Sequence, residues 1–258
     1  MSNIVLNDPE LVARIRMPLP GKSVAAKTVP ILYTGNYDTA KACMVSINPQ
    51  EFYNSNGLKP NHPISRATLG KKDNEELEKG KDVKKILDFC DNYFVNYLKE
   101  NGKPHPFFYQ LEDVLKGFNK NKQYSFQDGT CVLLDLVQWD TRPLWSKLQA
   151  SAKKELLNSD SKYLKKLLER QNNFDFMFLN GRKVIEALKG QYNLDLTEYT
   201  IQLKKDCTLF FGTWGNTKTK IIGWSRFFGR WQMGKDDFSL FLPALHEKYN
   251  KWLETHAR

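Results

Sequence analysis

Nearly uncharged apolar runs alternate along the chain with stretches whose apolar residues recur every three or four positions. The first uncharged run is KACMVSINP, Lys41 to Pro49, which predicts a strand, and a polar loop with Pro and Gly follows from Gln50 to about Lys72. From Asn74 to Asn101 the apolar residues Val83, Ile86, Leu87, Phe94 and Leu98 keep a helical period. His105 to Phe118 predicts another helix. TCVLLDLVQW, Thr130 to Trp139, is a continuous apolar run of the kind covered on both faces of a sheet. A mostly helical, Leu- and Lys-rich stretch runs from Pro143 to about Gln171. FDFMFLN, Phe174 to Asn180, is a third buried strand, passing through Gly181 into a helix that ends at Gly190. Further strands lie between Asn193 and Ser225, and an amphipathic helix closes the chain from about Phe238 to His256. The alternation predicts a three-layer α/β/α sandwich with a mostly parallel central sheet, formed by a single domain over residues 1–258.

In such sheets ligands sit beyond the carboxyl ends of the strands. Four strand ends therefore matter. Ser46-Ile47-Asn48-Pro49 leaves its strand at a Pro that blocks further pairing and holds Asn48 extended. This is either an ordinary turn or a presented amide. Asp135 interrupts the apolar run Leu133-Leu134-Asp135-Leu136-Val137, where a carboxylate without a partner is costly. It is either a paired structural group or a functional one, and Asp140 in QWDTRP is the alternative if the register slips. Leu179-Asn180-Gly181 reads as a strand-to-helix turn. Last, Gly223-Trp224-Ser225-Arg226-Phe227-Phe228-Gly229-Arg230-Trp231 sets aromatics among arginines and glycines. A loop that grips phosphates and wedges between bases takes such residues, as does a surface loop packed on its own rings.

Charge sharpens the choice of partner. The 258 residues carry 39 Lys+Arg against 29 Asp+Glu, a net +10, which favours a polyanion such as nucleic acid or an anionic membrane surface, unless the lysines serve only solubility. With 41% hydrophobic residues the chain fills a core, which excludes wholesale disorder. No run approaches the roughly 18 apolar residues of a membrane span. The start, MSNIVLNDPELVARI, lacks a signal pattern, so a cytoplasmic or nuclear, non-secreted protein is expected. Cys43, Cys90, Cys131 and Cys207 are far apart without ligand spacing, so neither a metal nor another cofactor is expected. No P-loop or G-x-G-x-x-G is present, which disfavours a nucleotide-processing enzyme.

The order of these segments resembles the uracil-DNA glycosylase superfamily. MVSINPQEF is similar to the first motif of the mismatch-specific and single-strand-selective branches, a strand ending in Gly-x-Asn-Pro-Gly, with Glu51-Phe52 where the latter branch has Pro-Phe. VLLDLVQW resembles the strand whose Asn reads the base, and FDFMFLNGRKVIEAL the strand–Gly–helix unit that follows. IIGWSRFF falls where the family has His-Pro-Ser and a minor-groove wedge. The resemblance spans about residues 41–232. It implies that Asn48 positions the attacking water, that Phe52 (or Tyr53) stacks on the flipped base near Ser46, and that Asp135 takes the place of the base-reading Asn. It also implies phosphate contact by Ser225, with Arg226 and Arg230 beside it and Phe227 or Phe228 as the wedge.

Ser46 and Gln50 replace the two motif glycines, and Gly223-Trp224 replaces His-Pro, so the His that helps the base depart is missing. Backbone N–H groups near Asn48 and in the 224–226 loop remain as donors to the leaving base. The expectation is a monomeric, monofunctional glycosylase that flips a modified cytosine-type base or uracil from duplex or single-stranded DNA and leaves an abasic site. A catalytically inactive DNA-binding relative of the same fold is the alternative.

Overall fold

The computed structural model describes residues 2–25, 28–49, 64, 81–119, 122–170, 174–229 and 233–256. Six strands form one mixed sheet: β1 (Ala42–Ser46), β2 (Cys131–Asp135), β3 (Phe176–Asn180), β4 (Leu196–Ile201), β5 (Cys207–Thr213) and β6 (Lys220–Trp224). Their order is β2-β1-β3-β6-β5-β4. The first four in that order are mutually parallel, while β5 runs antiparallel to both β6 and β4. The four parallel strands are almost wholly buried, in keeping with sequences charged only at Asp135 and Lys220. The edge strand β4 is buried only at its ends, Leu196 and Ile201; between them Glu198 and Thr200 are exposed, while Thr197 and Tyr199 are half-buried, Tyr199 against Phe211.

Side chains alternate across the sheet and feed two cores. Cys43, Val45, Val132, Leu134, Met177 and Leu179 face one. It is closed by α2 (Pro9–Ile15), the first half of α3 (Lys81–Asn101), α5 (Ala150–Arg170) and α6 (Arg182–Tyr192). Met44, Leu133, Phe178, Ile222 and Trp224 face the other, beneath α4 (Tyr109–Phe118) and α7 (Lys235–His256). Among the described residues, no helix is long and apolar enough to cross a membrane.

Several boundaries differ from expectation for identifiable reasons. β2 stops at Asp135 rather than Trp139, because the backbone of Gln138 turns away to the carboxylate of Asp160 at 2.7 Å. Helix α6 passes Gly190 and ends at Tyr192, where Asn193 takes the left-handed conformation (φ 51°). Two short N-terminal helices were not expected: α1 (Asn3–Leu6) and α2, the latter capped by Asp8 Oδ1, which accepts from Glu10 and Leu11, with Pro9 in its first turn. All four cysteines are free and buried, and burial pushes the thiols of Cys43, Cys90 and Cys131 far above their usual range.

Candidate functional site at the carboxyl edge of the sheet

The parallel register sets four residues side by side at the carboxyl ends of four adjacent strands. Ser46 pairs with Asp135, the Val45–Leu179 pairing brings Ser46 beside Asn180, and Asn180 pairs with Trp224. By the period-2 rule they share one face with Met44, Leu133, Phe178 and Ile222, the face of the second core. A polar row thus crosses the edge of the sheet.

At one end of the row stands Asp135, 3% exposed. Its Oδ1 is sealed from solvent and has no hydrogen-bond partner, and no cation among the described residues pairs with it. Burial alone pushes its carboxyl up to about 8. The pairing with a buried Arg or Lys that would have made it merely structural is not found among the described residues. Such a group holds its proton at neutral pH and presents one O–H donor and one C=O acceptor.

Beyond β1 the half-buried Asn48 is tethered through its amide nitrogen, which donates to Thr141 Oγ1 at 3.3 Å and more weakly to the Trp139 carbonyl at 3.5 Å. Its Oδ1 receives no hydrogen bond from a described residue, so the carbonyl end is available as an acceptor. The partner loop is itself fixed from below. Arg14 donates to Gln138 Oε1 at 2.9 Å, pairs with Asp160 at 2.7 Å with both side chains fully buried, and lies over the Trp139 ring. Burial lowers the guanidinium and raises the carboxyl, and their mutual attraction opposes both shifts. Asp140, within this loop, is also buried, and desolvation lifts it to about 7 against Arg142 and the Thr141 N–H. The alternative to Asp135 is thus a second buried acid, not a substitute for it.

Asn180 was read as a turn residue; it is the staple of the site. Its Oδ1 accepts from Trp224 Nε1 at 3.1 Å and from Phe228 N at 2.9 Å, while its Nδ2 donates to the Phe228 carbonyl at 2.7 Å. The loop after β6 is thereby folded over β3. This corrects the wedge assignment. Phe228 is 1% exposed, stacked on Trp224 in the second core, because Asn180 pulls its backbone inward. Phe227 points out instead, 53% exposed, its ring edge-on to Phe107. It rests on Gly181 and Gly229, where an added Cβ would meet Phe227 at 3.2 Å and 2.7 Å, and Gly181 also has φ 102°. Only glycine fits there.

Ser225 is less free than the resemblance implies. Its Oγ accepts from Thr208 N at 2.9 Å, and its backbone N–H donates to the Thr208 carbonyl. That N–H is therefore spent and is no donor to a leaving base. Arg226 pairs with Asp237 at 3.0 Å. Asp237 also accepts from Lys204 N, and these bonds hold its carboxyl below the ordinary range. Phe52, Tyr53 and Arg230 lie outside the described residues.

Together the fold and the polar row define an α/β protein with a candidate site at the carboxyl edge of a mostly parallel sheet. No model of a known protein family matches the chain, and no curated protein does.

Proposed function

We propose that this protein is a monofunctional DNA glycosylase with a three-layer fold of the uracil-DNA glycosylase kind. The observation that carries the reading is the buried, unpartnered carboxyl of Asp135, in register with Ser46 on the strand that leads to the tethered Asn48. A carboxyl without a partner costs stability that an ordinary core residue would not, and such costs concentrate where a ligand repays them.

In this reading the flipped base lies over the row with its pairing edge on Asp135. A neutral carboxyl offers a donor and an acceptor together. That matches the N3 and amino group of a cytosine-type base, and equally the N3–H and O4 of uracil. Asn48 Oδ1 orients a water toward C1′, where positive charge builds as the glycosidic bond breaks. The bond's electron pair leaves with the base, and Asp135 supplies the hydrogen bond or proton that the departing nitrogen or oxygen needs. The water becomes the new hydroxyl at C1′ and releases its proton to solvent. This gives Asp135 the task that the missing His leaves open.

One observation favours the alternative of an inert DNA-binding relative. Gly223 has no side chain and the Trp224 indole is committed to Asn180, so neither serves a leaving base. The two readings part in an alkali-cleavage assay on duplex and single-stranded DNA bearing uracil, cytosine or modified cytosine. Abasic sites from one of these substrates support catalysis; binding without abasic sites leaves the inert relative.

Two further results are expected. Affinity for DNA falls at least about tenfold between roughly 50 and 200 mM salt, as counterion release from a few phosphate contacts requires. Salt-independent affinity in an anisotropy titration would remove the nucleic-acid reading. Phe227→Ala slows base release from duplex several-fold more than from single strands, because only the duplex needs its stacking replaced. Equal losses on both would assign Phe227 to packing.

A further inference from the structure

The carboxyl edge of the sheet continues past Phe227. Because β5 is antiparallel to β6, with Leu209 opposite Trp224, the connection 202–206 between β4 and β5 comes out at the same edge as Asn48 and Arg226. The start of α7 comes out there too, tied in by the bonds from Arg226 and Lys204 N to Asp237. Between them lies a depression of about 250 Å³, lined by Lys204, Lys205, Arg226, Lys235, Asp236 and Asp237. Four cations face two carboxylates, and Asp237 is already occupied by Arg226 and a backbone N–H. Lys204, Lys205 and Lys235 are exposed, and among the described residues no acidic group makes a salt bridge to Lys205 or Lys235. Asp206, on the same connection, does not line the depression.

We propose that the 202–206 connection, Arg226 and Lys235 form a track for the phosphate backbone of the DNA strand on the far side of Phe227 from Asn48. The inference rests on the glycosylase reading and extends it from Arg226 to Lys204, Lys205 and Lys235, which no motif of the sequence marks. Distances agree with it. From β1, which carries Asn48, to β5 is three strand spacings, roughly 14 Å at about 4.8 Å each. Projected on the axis of B-DNA, at about 3.4 Å of rise per nucleotide of one strand, that is roughly four nucleotides. A base over Asp135, an aromatic in the gap it leaves and lysines under the flanking phosphates then follow one another along a single edge. An exposed ring immediately beside the cations suits a strand of stacked bases better than it suits an acidic peptide.

The test is a Lys204→Ala/Lys205→Ala double variant, titrated by fluorescence anisotropy with a labelled DNA duplex over a range of salt. The control is Lys248→Ala/Lys251→Ala, on the same helix as Lys235 but toward its other end, with Lys251 roughly 24 Å along the axis. The track predicts a salt slope shallower by about 2 in the Lys204/Lys205 variant, at about 0.9 per lost phosphate contact, with the control at the wild-type slope. Circular dichroism should show both variants folded, since these side chains are at the surface. If wild type binds DNA and the double variant keeps its slope, the track is overturned while the glycosylase reading stands. Failure of wild type to bind DNA overturns both. Competition by polyglutamate as effective as that by DNA of equal charge also overturns the track, in favour of an acidic protein partner.

Discussion

Asn48→Ala is expected to lower the rate of base release at least about a hundredfold, the scale of loss when a reacting group is misplaced by an ångström. DNA affinity should stay within about twofold, because a water-positioning group acts in the transition state more than in substrate binding. The variant should also fold. Asn48 is half-buried, and its two hydrogen bonds are long, so little native stability depends on them. The conservative Asn48→Asp variant sharpens the test. It keeps an oxygen facing the water but loses the amide hydrogen bonds to Thr141 and Trp139, so it should recover part of the rate and become sensitive to pH. Single-turnover kinetics with excess enzyme isolates the chemical step from product release. Base release by Asn48→Ala at the wild-type rate would remove Asn48 from the site, whatever the fate of the other assignments.

The parallel strands were legible in the sequence because burial on both faces leaves them almost no charged position, Asp135 and Lys220 standing only at strand ends. β1, β2 and β3 lie inside the apolar runs that predict them, and β6 within the 193–225 segment expected to hold further strands. The edge strand β4 was not delimited, since LTEYTI carries a half-exposed and partly charged face. The N-terminal helices are too short for a period to emerge, although Asp8-Pro9-Glu10 is a start signal that capping chemistry would have recognised.

Within the site, Asp135 stood out because a carboxylate in an apolar strand is costly, Asn48 because Pro49 sets it at a strand exit, and Ser46 only through the motif resemblance. Their adjacency follows from register, which sequence does not state. The staple role of Asn180 was hidden because it depends on the loop after β6 folding back across β3. Phe227 and Phe228 could not be told apart for the same reason: a loop has no period, and only the bonds to Asn180 decide which ring turns inward. The Arg14–Asp160 pair that braces the Gln138–Thr141 segment joins residues remote in sequence, and neither carries a motif.

The proton on Asp135 links stability to the proposed chemistry. Its carboxyl is pushed up to about 8 by desolvation, with no opposing cation. In the unfolded chain it ionises near the ordinary value of about 4. Between these limits the native state keeps a proton that the unfolded state has released. Stability therefore falls as pH rises through this window and levels off above about 8. Asp140 adds a fall of the same sign that ends near 7. At about 1.4 kcal/mol for each tenfold change in proton affinity, Asp135 alone withdraws up to about 6 kcal/mol across the window. Asp135→Asn keeps the shape and removes the proton. The variant should therefore gain on wild type steadily from about pH 5 to about pH 8.5, read as urea midpoints at constant slope. The same substitution should cost base release most at low pH, where wild type carries the proton, and should erase the decline of the wild-type rate near pH 8. Stability curves of variant and wild type that run parallel across the window would show that Asp135 is ionised in the fold. An ionised Asp135 has no proton to give the leaving base, so that single result would also withdraw its catalytic role.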